Sequence, residues 1–112
     1  MRISVSGRHL HLSQDVQDYA RAKAAKLEQF FNKIQAVDFV VAMQGLDYNV
    51  EIIVKLDRHD SFIGRGSGAD VHACIDLSLD KLERQITRHK EKVRNRKHKA
   101  GPAEGLAPPE IL

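Results

Sequence analysis

Tryptophan is absent from the 112 residues, cysteine occurs once, and aromatic residues make up 5% of the chain. A core without Trp has to be built from aliphatic side chains with a few Phe and Tyr. The single Cys74 excludes an internal disulfide, a thiolate metal cluster and a dithiol redox pair, and fits a reducing compartment. Long apolar runs are also lacking. Nothing approaches the ~18 residues of a membrane span, and the opening stretch Met1-Arg2-Ile3-Ser4-Val5-Ser6-Gly7 has no apolar segment of the kind a secretory signal needs. The expectation is a cytoplasmic protein with no membrane partner.

What is there describes an ordinary globular chain, 42% hydrophobic and 29% charged. Its length suits one domain, expected over residues 1–99 and followed by a flexible tail over 100–112, where Gly101-Pro102 and Pro108-Pro109 cannot continue a helix. The net charge of +3 is unevenly spread. Residues 1–80 hold nine Lys/Arg against eleven Asp/Glu, residues 81–99 hold nine against two, and residues 100–112 hold none against two. The basic character is thus local, which is the electrostatic footprint of a polyanion binder.

Ile3 and Val5 alternate with polar neighbours up to Gly7 and predict a short strand. Ser13 offers an N-cap hydroxyl and Asp15 a first-turn carboxylate, so a helix is expected over 13–33. Its core stripe is Val16, Ala20, Ala24, Leu27, Phe31 and Ile34, with Tyr19 and Phe30 at the edge. Val37 to Met43 reads as a β-branched strand, Gly45-Leu46-Asp47 as a turn, and the alternation of Tyr48, Val50, Ile52, Val54 and Leu56 as the second arm of a hairpin. A turn follows at Asp57-Arg58-His59-Asp60. Ser61 to Gly66 predicts only a weak strand because of its neighbouring glycines. Asp70 then caps a helix that runs to about Lys99.

The order β-α-β-β-β-α makes the first two strands parallel through a crossover and the others antiparallel. The expected class is α+β, a two-layer sandwich of a four-stranded mixed sheet with two helices on one face.

At about 100° per residue, Val71, Ile75, Ser78, Leu79, Leu82, Ile86, His89 and Val93 form the core stripe of the last helix. Lys81, Arg84, Arg88 and Lys92 share one flank, with Lys99 continuing the row if the helix lasts; Asp76, Asp80, Glu83 and Glu91 lie on the other flank or outer side, together with Lys90 and Arg94. Alternating signs would serve solubility equally well. A segregated row with about 5–6 Å between neighbours can instead follow phosphates and release their counterions. In the first helix Lys26 and Lys33 share a flank, and Lys23 sits near the core edge, where its stem packs while its ammonium reaches water. The phenylalanines fit the core and no base-stacking run is present, so contacts are expected to be with shape and phosphates.

Catalytic and metal signals are weak. His9-Leu10-His11 lacks a third ligand in register, and Cys74 falls toward an apolar stripe. His72 and Asp76, four residues apart, lack an orienting partner for Cys-His chemistry. Gly64-Arg65-Gly66-Ser67-Gly68 lacks the Gly-Lys-Ser/Thr of a phosphate loop and reads as a loose strand end. No enzyme, metal or cofactor is expected.

Three stretches in order carry a family likeness: Ile3-Ser4-Val5-Ser6-Gly7-Arg8-His9-Leu10, Ala24-Ala25-Lys26-Leu27-Glu28-Gln29-Phe30-Phe31, and Ala73-Cys74-Ile75-Asp76-Leu77-Ser78-Leu79-Asp80-Lys81-Leu82-Glu83-Arg84-Gln85-Ile86 with Arg88-His89-Lys90-Glu91-Lys92. They resemble the ribosome hibernation promoting factor and ribosome-associated inhibitor family, also labelled sigma-54 modulation proteins. The likeness spans about residues 1–99, with Asp-Lys-Leu-Glu-Arg-Gln its most specific part.

The resemblance implies a stress and stationary-phase protein that binds ribosomal RNA in the decoding channel of the small ribosomal subunit. There it blocks messenger and transfer RNA reversibly. The implied RNA-binding residues are Lys23, Lys26, Lys81, Arg84, Arg88, Lys90, Lys92 and Arg94, several of them also selected by the helix angles. Asp70-Val71-His72 stands where the family often has Asp-Met-Tyr. The chain is too short for the dimerisation domain of long members. Its tail is shorter and less acidic than that of the form opposing ribosome pairing, which favours the form promoting pairs with a ribosome modulation factor. Two other readings stay open: a free double-stranded RNA- or DNA-binding regulator, and a protein-interaction module.

Overall fold

A computed structural model of the protein describes residues 1–31, 33–56 and 61–98, with the backbone alone for Phe30 and for 93–98. Six elements follow in the expected order: β1 (Arg2–Gly7), α1 (Gln14–Phe30), β2 (Ile34–Gln44), β3 (Asp47–Leu56), β4 (Ser61–Gly68) and α2 (Val71–His98). The sheet order is β1-β2-β3-β4, with β1 parallel to β2 and the other neighbours antiparallel. The four-stranded mixed sheet and its two helices are those the hydrophobic periods predict.

Period-two patterning puts Val37, Phe39 and Val41 of β2 and Val50, Ile52 and Val54 of β3 on the helix side, all buried. Leu27 of α1 and Ile75, Leu82 and Ile86 of α2 meet them in one core. The opposite face carries Asp38, Val40, Glu51, Ile53 and Arg65, all partly or fully exposed. Gln44 and Asp47 pair across a two-residue loop in which Gly45 holds φ 66°, as a first central residue at positive φ must in the tight hairpins that match strand twist.

Both helix starts follow their capping residues. Ser13 Oγ accepts from the Val16 amide at 3.3 Å, and Asp70 Oδ1 accepts from the His72 amide at 3.0 Å.

The junction between α1 and β2 differs from expectation. The first helix ends at Phe30 rather than 33, because Phe31 turns extended (φ −134°, ψ 104°) while its amide still donates to Leu27 O at 3.1 Å. Ile34, expected on the helical stripe, instead opens β2. Both side chains are buried all the same, and a register shift between Ile34 and Ala36 accommodates the entry.

The stretch 64–68 is a regular part of β4 rather than a loose strand end. Gly64 and Gly66 face α2, which lies so close that a Cβ on Gly66 would sit 2.8 Å from both Cys74 O and Ser78 Oγ, and one on Gly64 would overlap Ser78 O. Here glycine admits the helix rather than loosening the strand. Gly64→Ala is therefore expected to push α2 off the sheet and lower stability by about 1–3 kcal/mol, read as a lower urea midpoint.

The expected turn at 57–60, the tail 100–112 and the core placement of the Phe30 and Val93 side chains fall outside the described residues.

Candidate nucleic-acid interface

Parallel helices on one sheet face give α2 two distinct flanks. One faces α1. Tyr19 Oη donates to Asp76 at 2.7 Å from Oδ1 and 2.9 Å from Oδ2, Lys23 Nζ lies 3.6 Å from Asp76 Oδ1, and His72 Nε2 is 3.0 Å from Asp15 Oδ2. Further along, Lys90 Nζ stands 5.1 Å from the centre of the Phe31 ring. The other flank overhangs β4, where Gln85 Nε2 donates to Ile63 O at 2.8 Å.

This geometry sorts the expected RNA-binding residues. Lys81, Arg84, Arg88 and Lys92 are exposed on the flank of α2 turned away from α1, three and four residues apart and hence one above another; Lys81 borders β4, while Arg84 and Arg88 lie toward the outer surface beside Asp80, Glu83 and Glu91. Arg84 NH2 lies 3.0 Å from Asp80 Oδ2, but both side chains are over half exposed. Such a pair contributes only about 0–1 kcal/mol, so it does not withhold the guanidinium from a phosphate. Lys23 and Lys90 belong to the other group, on the side where the helices meet, and the exposed Lys26 lies one turn beyond Lys23 on α1. The side chain of Arg94 is outside the described residues. The seven described positions thus form two groups, one on the flank of α2 turned away from α1 and one on the side where the helices meet, not one patch.

Lys23 is the member most engaged within the protein. Asp76 and then Tyr19 hold its ammonium above the usual lysine range, and the same Asp76, through the hydrogen bond, raises the Tyr19 phenol above its ordinary 10.0. Because both folded values are raised, the stabilisation is fully present below about pH 10 and is lost as pH rises through them. We expect a Tyr19 phenolate absorbance that appears at higher pH than a free phenol's, and that Asp76→Asn brings back toward it.

No motif in the sequence marks this inter-helix cluster. His72 and Asp76, a pair by their spacing of four, are not partners: His72 turns to Asp15, packs edge-on to Tyr19 at 4.6 Å and has Asp70 Oδ1 3.8 Å from its Nδ1, while Asp76 serves α1. Tyr19 at the margin of its stripe was the available signal. Cys74 is buried with its Sγ 3.8 Å from Tyr48 O, and burial pushes its thiol up, which disfavours the nucleophilic thiolate. Among the described residues no helix is long and apolar enough to cross a membrane.

Comparison with known proteins places this basic two-layer domain in a group. Residues 3–94 match the family model described as sigma 54 modulation protein / S30EA ribosomal protein. The ribosome hibernation promoting factor of Pseudomonas putida is 33% identical over 82% of this chain and 89% of its own length, and that of Azotobacter vinelandii 30% identical over 96% of this chain and all of its own. Among solved structures, the N-terminal domain of Thermus thermophilus Protein Y superposes with a TM-score of 0.70 at 29% identity, over 80% of this chain and 99% of that one. A ribosomal subunit interface protein from Coxiella burnetii, 21% identical, shares the fold with a TM-score of 0.75 over 81% of this chain and 99% of its own.

Proposed function

The chain belongs to the sigma 54 modulation protein / S30EA ribosomal protein family, with the ribosome hibernation promoting factors, and from that premise we propose that it silences translation by occupying the decoding channel of the small ribosomal subunit. Ribosome-associated hibernation is the property of the family, which is not one of enzymes. The finer reading is that residues 1–99 bind ribosomal RNA where messenger and transfer RNA would lie. A bacterial cytoplasmic protein of stationary phase and stress fits that role, as does promotion of paired, inactive ribosomes together with a modulation factor.

The observation that carries the reading is the exposed row Lys81, Arg84, Arg88 and Lys92 on one flank of a helix anchored by Leu82 and Ile86. Each cation that neutralises a phosphate releases counterions, giving sequence-independent affinity that falls steeply with salt. A rigid helix fixes the spacing of the row in advance, so little ordering accompanies binding. The Lys23, Lys26 and Lys90 strip supplies a second line of cations, with Arg94 added on helical phase.

The test is co-sedimentation with purified bacterial ribosomes and subunits, with cell-free translation measured in parallel. Retention on the small subunit at low salt and falling protein synthesis are expected. Translation that persists at saturating protein would sink the reading, and equal affinity for an isolated RNA duplex would favour a free double-stranded RNA binder.

A further inference from the structure

The cationic row does not stop at the helix. Lys81, its first member, also lines a shallow basin of about 500 Å³ that continues onto the open face of the sheet. Two more cations enter from different elements: Arg8, just after β1, and Arg65, on β4. Both are exposed. Glu51 is the one carboxylate among the lining residues, and it lies 2.9 Å from Arg65 Nε. Asn49 and Ser67 supply neutral hydrogen-bonding groups between the cations, over an apolar floor that includes Val40 and Ala42.

We propose that this basin is a second nucleic-acid site, which takes the sugar-phosphate backbone of an RNA strand leaving the α2 row at Lys81 and crossing β4 toward Arg65 and Arg8. The inference rests on the ribosome-binding reading and extends its surface from the helix flank to the sheet. Charge and continuity both select this occupant: three cations face one carboxylate, and one of the three is shared with the row. An acidic protein segment would satisfy the charge but has no reason to follow the row. With no aromatic side chain in its lining, the basin holds phosphates and riboses rather than stacked bases, so its contribution is independent of sequence.

Glu51 opposes that occupancy. Its ion pair with Arg65 is solvent-exposed on the arginine side, 69% for Arg65 against 32% for Glu51, so the guanidinium can exchange the carboxylate for a phosphate.

The experiment measures affinity for purified bacterial 70S ribosomes over a range of salt concentrations, with unfolding curves to show an intact fold. Loss of two phosphate contacts in Arg8→Ala/Arg65→Ala should flatten the slope of log affinity against log salt by about 1.4 and weaken binding at least about tenfold at 0.1 M salt. Glu51→Gln should act oppositely and tighten binding by about two- to tenfold, a gain that a merely structural Glu51–Arg65 pair would not produce. A photocrosslinking residue at exposed position 67 should join to ribosomal RNA.

An unchanged slope in the double variant, together with weakened binding in Lys81→Glu/Arg84→Glu, would overturn the sheet site and leave the ribosome reading standing. Crosslinks to ribosomal protein alone would do the same. Failure of the unaltered protein to bind ribosomes would overturn both.

Discussion

Lys81→Glu/Arg84→Glu should fall away from ribosomes, with roughly a hundredfold lower affinity at 0.1 M salt and a salt slope flattened by at least about 1.4, because two phosphate contacts become two repulsions. The fold should not notice. Both side chains are exposed, and among the described residues the one ion pair lost is that of Arg84 with Asp80, four residues away on the same helix, worth at most about 1 kcal/mol. Sedimentation with ribosomes reads the first effect and urea unfolding the second. Unchanged co-sedimentation would contradict the assignment of this flank. Arg88→Glu should act in the same direction through a single contact.

The opposite pattern is expected one residue away. Leu82 is fully buried at the centre of the α2 stripe, against Gly64 of β4. Leu82→Ala leaves a cavity where helix and sheet are already in backbone contact and cannot close further, so a loss of about 2–5 kcal/mol is expected. For a domain whose whole stability is about 5–15 kcal/mol, that is a large fraction. The unfolding midpoint should drop while the molecules that remain folded still bind ribosomes, since the cations keep their positions. Together the two variants separate what the helix presents from what holds it in place. Equal loss of ribosome affinity in both would mean that the row acts through stability rather than through contact.

Much of the fold was legible because the two hydrophobic periods are clean. Tyr48, Val50, Ile52, Val54 and Leu56 hold alternate positions with Ile53 the one apolar residue out of phase, and the α2 stripe from Val71 to Ile86 never changes phase. The end of α1 was not legible. Leu27, Phe31 and Ile34 keep helical spacing across the boundary, no glycine or proline marks the stop, and only the extended backbone of Phe31 shows where it falls.

The glycines of β4 misled for a related reason. Local propensity counts them as weakening a strand, whereas their role depends on how closely α2 approaches. Of the candidate site, the row Lys81, Arg84, Arg88 and Lys92 follows from helical phase alone. Its separation from Lys23, Lys26 and Lys90 does not, because contacts such as Tyr19 with Asp76 and Asp15 with His72 join residues 57 apart. The basin on the sheet is more remote still, since Arg8, Arg65 and Lys81 are far apart in sequence and line it together only through strand order.

The most direct measurement of the central claim is electron cryomicroscopy of bacterial ribosomes saturated with the protein. Density for the β-α-β-β-β-α domain is expected in the decoding channel of the small subunit, with the flank of α2 that carries Lys81 against ribosomal RNA and no messenger or transfer RNA beside it. Ribosomes with the domain bound elsewhere and the channel open to both RNAs would contradict it.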